Sequence, residues 1–138
     1  LNISIKPIIV PHRDEFSETV GYLIKGDLKS ALFLPDIDKW EKWDKKIEDF
    51  IKNVDYAFID GTFYNGKEIP HRNMNEIPHP FVIETLERLK NLKKKHKKKV
   101  YFIHLNHTNP LLKPNNEITK EIIKRGYNIA RTGMKFDL

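Results

Sequence analysis

Apolar residues along this chain come in short runs that stop abruptly at Pro, His or Asp. Ile3, Ile5, Ile8, Ile9 and Val10 predict an imperfectly alternating first strand, interrupted by Pro7 and ended by Pro11-His12. Residues 20–24 and 31–34 predict a hairpin joined through 25–29, and its second arm stops at Pro35-Asp36. From Asp38, a candidate cap, Trp40, Trp43, Ile47, Phe50 and Ile51 recur at three- and four-residue spacing and predict one amphipathic helix. Residues 56–59 predict a short buried strand ended by Asp60-Gly61, and 62–80 a long irregular loop. After Pro80 the stripe Val82, Leu86, Leu89 and Leu92 predicts a second helix, whose lysine-rich end delivers the chain to a strand over 100–103 and then His104. Beyond the polar stretch 106–116, the pattern predicts a helix over 118–124 closed by Gly126, then two short strands over 127–130 and 134–136. No internal repeat or linker divides the chain, so 1–138 reads as one α/β domain.

Composition narrows the picture without deciding it. With 39% apolar residues, eight Phe, five Tyr and two Trp, the 138-residue chain can build a packed core. It lacks the roughly 18 to 20 consecutive apolar residues of a membrane helix and the pattern of a signal peptide, so a cytoplasmic, non-membrane protein is expected. It has no cysteine, which excludes disulfides and thiolate ligands, and any metal must be held by imidazole and carboxylate. The net charge of +6 invites nucleic acid as a partner. However, much of the excess lies between Lys90 and Lys99, where a lysine run also complements a helix C-terminus and solvates an exposed end.

His12, Asp36, Asp60 and His104 each directly follow an apolar run. One such residue is ordinarily a cap or turn former. Four of them at comparable strand ends of a layered α/β domain can converge on one site, with the donor types a divalent cation needs.

Four blocks carry a resemblance: Val10-Pro11-His12-Arg13-Asp14-Glu15-Phe16-Ser17-Glu18-Thr19-Val20-Gly21-Tyr22-Leu23-Ile24, Leu34-Pro35-Asp36-Ile37-Asp38-Lys39-Trp40, Ile59-Asp60-Gly61-Thr62-Phe63, and Phe102-Ile103-His104-Leu105-Asn106-His107-Thr108-Asn109-Pro110-Leu111-Leu112. Their order and spacing resemble the pyrroloquinoline-quinone biosynthesis protein B group of metallo-β-lactamase-fold metallohydrolases. The resemblance implies one half of an αββα sandwich, a mixed sheet with helices on one face. It implies His12 and a late histidine as metal ligands, and Asp36 as a carboxylate bridging two metals. The late ligand is His104 or His107, and His104 is preferred because it ends the strand. Asn106, Thr108 and Asn109 would then orient the ligands or face substrate, or form a turn satisfying its own backbone. Similarity to transfer-RNA 3′-end processing enzymes of the same superfamily implies a proton-donating pair, His79 with Asp60. His71 and His96 have no motif support.

The superfamily's His-x-His-x-Asp-His loop is absent from these residues. The chain is therefore expected to be the C-terminal portion of such a domain, completed by an N-terminal half or, alternatively, by a homodimer partner across its bare sheet face. The expected function is metal-dependent hydrolysis of an ester, phosphodiester or similar bond in a small-molecule substrate, with one or two zinc ions. Iron or manganese, the former with an oxidative step, would suit the same donors. The alternatives are an RNA-binding or RNA-processing module using the Lys90 to Lys99 cluster and a catalytically inactive half-domain.

Overall fold

The computed structural model describes residues 2–138. Six strands form one sheet in chain order: β1 (Ser4–Val10), β2 (Thr19–Lys25), β3 (Ser30–Leu34), β4 (Tyr56–Asp60), β5 (Val100–Ile103) and β6 (Asn128–Ile129). The β1–β2 and β2–β3 pairs are antiparallel, and the remaining pairs are parallel. Since β1 and β3 both run against β2, the C-terminal ends of β1, β3, β4 and β5 share one sheet edge. Pro7 is tolerated because β1 is an edge strand.

Alternation sorts the side chains onto two faces. Ile8, Val10, Leu32, Leu34, Ala57, Ile59, Val100 and Phe102 are buried in one cluster with residues of the connecting helices and loops. That cluster takes Ile47 and Ile51 from α1 (Ile47–Asn53), Val82 and Leu86 from α2 (Val82–Arg88), and Ile122 from α4 (Glu117–Lys124). On the opposite face Ile5, Ile9, Tyr22 and Phe33 remain exposed. There Phe136 meets Tyr56, Phe58 and Tyr101 edge-on, with ring centroids 5.1, 4.8 and 5.0 Å away. Residues 134–136, expected as a strand, are therefore not one: the segment crosses the aromatic face instead of joining a sheet edge.

Two expected helices are broken. In place of one helix from Asp38 there is a 3-10 turn (Trp40–Lys42), an extended Trp43, and then α1. The two indoles are pulled to different elements, Trp40 Nε1 donating to Thr85 Oγ1 on α2 and Trp43 Nε1 to the Ile9 carbonyl on β1. Asp38 is not a cap for α1; its carboxylate accepts from the Lys39 backbone and Lys42 Nζ. The helix after Pro80 likewise stops at Arg88, and the lysine run forms a separate turn, α3 (Lys94–Lys97). The Leu89 carbonyl accepts from the buried Tyr127 hydroxyl, and Lys97 Nζ donates to the Lys90 carbonyl, so side chains take acceptors that a continuing helix would use. Asn116 caps α4 through the Ile118 amide, and Gly126 at φ 93° ends it as expected. No helix among the described residues is long and apolar enough to cross a membrane.

Candidate metal centre

The shared C-terminal edge of β1, β3, β4 and β5 gathers the site. Asp38 N donates to the Pro11 carbonyl at 2.7 Å, tying the end of β1 to the end of β3 and setting His12 beside Asp36. At the end of β4, Gly61 N donates to the Ile103 carbonyl at 2.9 Å. A side chain at position 61 would strike Phe102 Cβ at 3.0 Å, so glycine permits this close approach of β4 to β5. The start of α2 is bound to the same turn: Val82 N donates to the Phe63 carbonyl and Phe81 N to Glu84 Oε2, which brings His79 over Thr62. Asn109 is buried and donates to the Gly61 and Thr62 carbonyls, fixing the turn from the other side.

Asp60 is fully buried. Its carboxylate accepts from Ile37 N (3.2 Å), Thr62 N (2.8 Å), Thr62 Oγ1 (2.7 Å) and His79 Nδ1 (2.8 Å). Four donors fill the lone-pair positions of a carboxylate, so Asp60 is an internal anchor. Asp36 is the opposite case. Its Oδ1 is buried without a hydrogen bond of acceptable geometry, although His12 Nε2 lies 3.1 Å and His79 Nδ1 3.4 Å away.

The hydrogen bonds also settle the imidazole tautomers. His12 Nδ1–H donates to the Pro78 carbonyl at 3.0 Å, and His79 Nδ1–H to Asp60. The single Thr62 hydroxyl proton goes to Asp60, so Thr62 Oγ1 accepts from His104 Nδ1–H at 3.0 Å. Each ring is therefore left with its Nε2 lone pair available, the arrangement by which outer partners prepare ligating histidines. His104 reaches this position at φ 59°, the sole non-glycine positive φ among the described residues. A left-handed residue directly at a strand end marks a conformation held by its surroundings.

Asp36, Asp60, His79 and His104 can each offer a ligand atom within 4.8 Å of the others. His12 is outside that group of four but lies beside it, its Nε2 3.1 Å from Asp36 Oδ1. Two ligands of one tetrahedral zinc, each at roughly 2.0 to 2.1 Å, lie about 3.3 Å apart, so the His12 Nε2 to Asp36 Oδ1 spacing suits a shared ion. The orphaned Asp36 oxygen and the free imidazole nitrogens fit such an ion, and the saturated Asp60 fits an orienting role. His107 is exposed on the turn after His104 and outside this group among the described residues; His71 and His96 are outside it too. Asn106 donates to Thr108 Oγ1, which donates to Glu68 Oε2, so this pair pins the 106–109 turn to the 62–80 loop. Neither Thr62 nor Pro78 stands out in the sequence, although they set the orientation of His104 and His12. Replacing Thr62 by Val, which keeps shape and removes the hydroxyl, should lower zinc affinity about tenfold in a competition against a chelating dye.

Burial alone would hold the His79 imidazole below its ordinary value of 6.5, but the hydrogen bond and charge of Asp60, with Asp36 and Asp38 behind, outweigh it and raise it. A raised folded value stabilises the metal-free fold fully below the unfolded value and loses that contribution as pH rises through the folded one. Urea denaturation of metal-free protein at about pH 5.5 and about pH 9 should therefore show a larger fall in stability for wild type than for His79→Gln.

The lysine cluster lies elsewhere. α3 precedes β5 and His104 follows it, so the two sit at opposite edges of the sheet. Several of its cations are occupied: Lys90 pairs with Glu87, Lys97 with the Lys90 carbonyl, and Lys99 with the carbonyls of Lys52 and Val54.

A family model described as beta-lactamase superfamily domain matches residues 1–105 of the 138. Coenzyme PQQ synthesis protein B of Acinetobacter baumannii is 25% identical, over 99% of this chain and 50% of its own length. The protein of that name from Azotobacter vinelandii is 29% identical, over 98% of this chain and 46% of its own. The chain thus spans about half the length of the curated relatives it matches. The crystal structure of zinc-bound PqqB from Methylobacterium extorquens superposes with a TM-score of 0.75 at 19% identity, covering 99% of this chain and 50% of that one. At that identity the likeness speaks for the fold, a mixed sheet with helices on one side corresponding to half of the metallo-β-lactamase type.

Proposed function

The chain belongs to the beta-lactamase superfamily domain family, and from that premise we propose that its strand-end cluster is part of a hydrolytic metal centre. His12, Asp36 and His104 would hold a divalent ion, zinc before iron or manganese. The observation that carries this reading is the Asp36 oxygen, buried without a hydrogen-bond partner and faced at 3.1 Å by His12 Nε2, whose Nδ1–H is already committed to the Pro78 carbonyl. When bound, zinc would supply an acidified water and charge to polarise the bond under attack.

The chain's own residues supply the rest. Pro78 and Thr62 lock the rings of His12 and His104, so no reorientation is needed on loading. His79 lines the adjoining cleft while its Nδ1–H is held by Asp60; in the protonated ring the second proton sits on the free Nε2 and can pass to a leaving group, leaving the neutral Nδ1–H imidazole. The negative charge of Asp60 favours the protonated ring, and its burial keeps it from competing for the ion. His107 is not needed in this arrangement, and His107→Ala serves as a control.

The direct test is hydrolysis of p-nitrophenyl acetate and bis(p-nitrophenyl) phosphate by the zinc-loaded protein. Turnover should fall by at least about 100-fold in His79→Gln, with zinc content unchanged, and remain in His107→Ala. Turnover that persists undiminished in His79→Gln would remove its proton-carrying role. Zinc-loaded protein without turnover on either ester would favour an inactive half-domain. The nucleic-acid alternative makes a separate forecast: RNA binding that weakens steeply with salt and is lost on charge reversal at Lys94 and Lys98.

A further inference from the structure

Beside the histidine cluster two clefts of about 500 and 590 Å³ adjoin, sharing His12, Arg13, Arg72 and Pro78. Both clefts share the two arginines, and the carboxylates lie only in the second. The second carries four carboxylates, Asp14, Glu15, Asp38 and Glu76. In the first, which holds His79, every charged side chain is an arginine, and neither Asp36 nor Asp60 reaches its wall. The first cleft also has an apolar side, Phe63, Ile69 and Ile77.

The two arginines come from different loops, Arg13 directly after the His12 ligand and Arg72 from the 62–80 loop. Arg72 makes no side-chain hydrogen bond or ion pair among the described residues. Arg13 meets only Glu15, at 3.6 Å and well exposed on both sides (70% and 58%), a contact that holds it weakly. Two guanidinium groups with little intramolecular use, facing an apolar wall in a cavity of small-molecule size, form a recognition pattern for an oxyanion carried on an apolar body. In the neighbouring cleft four carboxylates outnumber the same two arginines, so an anion is favoured on the His79 side of them.

We infer that the first cleft binds substrates bearing a carboxylate or phosphate on an aromatic or otherwise apolar body, with Arg13 and Arg72 gripping the anion and the scissile end directed to His79. This names the substrate class of the proposed hydrolytic site, and in that sense it rests on that reading.

Binding can be measured without metal or turnover. Phenylacetate, phenyl phosphate and the neutral phenylacetamide are titrated by calorimetry into the protein in chelator, and zinc content is determined separately. At least one of the two anions should bind, and the preferred one identifies the group. Phenylacetamide should bind roughly tenfold more weakly, and Arg13→Gln and Arg72→Gln should each cost the anion about tenfold. Both arginines are surface residues, so the variants are expected to fold, and Lys94→Gln, at the far sheet edge, should change nothing. Equal binding of amide and anions, no binding of either anion, or indifference to both Arg variants would overturn the assignment. Failure of the metal reading would look different: wild-type protein without zinc, but with anion binding in chelator intact.

Discussion

Replacing Asp36 by Ala is expected to lower zinc affinity by at least about 100-fold while leaving the metal-free fold as stable as wild type or slightly more so. The first part follows from the donor set. Asp36 supplies the one buried carboxylate oxygen of the cluster that, among the described residues, no protein donor claims, and it sits 3.1 Å from His12 Nε2. Without it His12 and His104 remain, too few protein ligands for a tight zinc site. The second part follows from the cost of the same oxygen, since a buried acceptor without a hydrogen bond is unfavourable and its removal relieves that cost. Loss of function without loss of stability would mark Asp36 as a residue kept for its ligand. Equilibrium dialysis against zinc and urea denaturation in chelator measure the two parts separately.

Asp60→Ala should do the reverse. It removes the acceptor of four hydrogen bonds from a position with no solvent access, stranding the amides of Ile37 and Thr62, the Thr62 hydroxyl and the His79 Nδ1–H. Breaking a buried charged network of this kind costs about 3 to 5 kcal/mol, a large share of the roughly 5 to 15 kcal/mol that holds an ordinary domain together. Asp60→Asn keeps the volume but turns an amide NH2 toward existing donors, so an intermediate loss is expected. Denaturation in chelator again provides the measurement. If Asp60→Ala proved as stable as wild type and merely zinc-poor, Asp60 would be a ligand and the division between the two carboxylates would be wrong.

The sheet and the edge where the cluster sits could be read from the sequence, because short β-branched and aromatic runs with hard stops leave little choice of strand. The positions of His12, Asp36, Asp60 and His104 follow from those stops. The interruptions of the helices could not be read. A spacing of three and four residues from Trp40 to Ile51 is equally satisfied by a 3-10 turn, a kink and a short helix, once each indole N–H finds its own acceptor on α2 or β1. The same holds for the stop after Arg88 and for Phe136, whose partners are aromatic faces distant in sequence.

Within the cluster, ligand types could be read but not their preparation. His12 is oriented by a backbone carbonyl at Pro78, 66 residues away, and a main-chain acceptor leaves no trace in residue identity. Thr62 looks like an ordinary turn residue after Asp60-Gly61 until the fold lays it against His104. His104 directly ends β5 and is held at a positive φ, whereas His107 follows on the turn, a difference of backbone conformation that residue identity does not carry. Arg13 and Arg72 lie in different loops, so their pairing exists only in three dimensions.

The most direct test of the central claim is long-range ¹H–¹⁵N correlation of the six imidazoles during a zinc titration. The account predicts the Nδ1–H tautomer for the uncharged imidazoles of His12, His79 and His104 in metal-free protein, then metal-type shifts at Nε2 of His12 and His104, with His71, His96 and His107 unchanged. Shifts at His107 in place of His104, or a uniform weak response across all six, would contradict it.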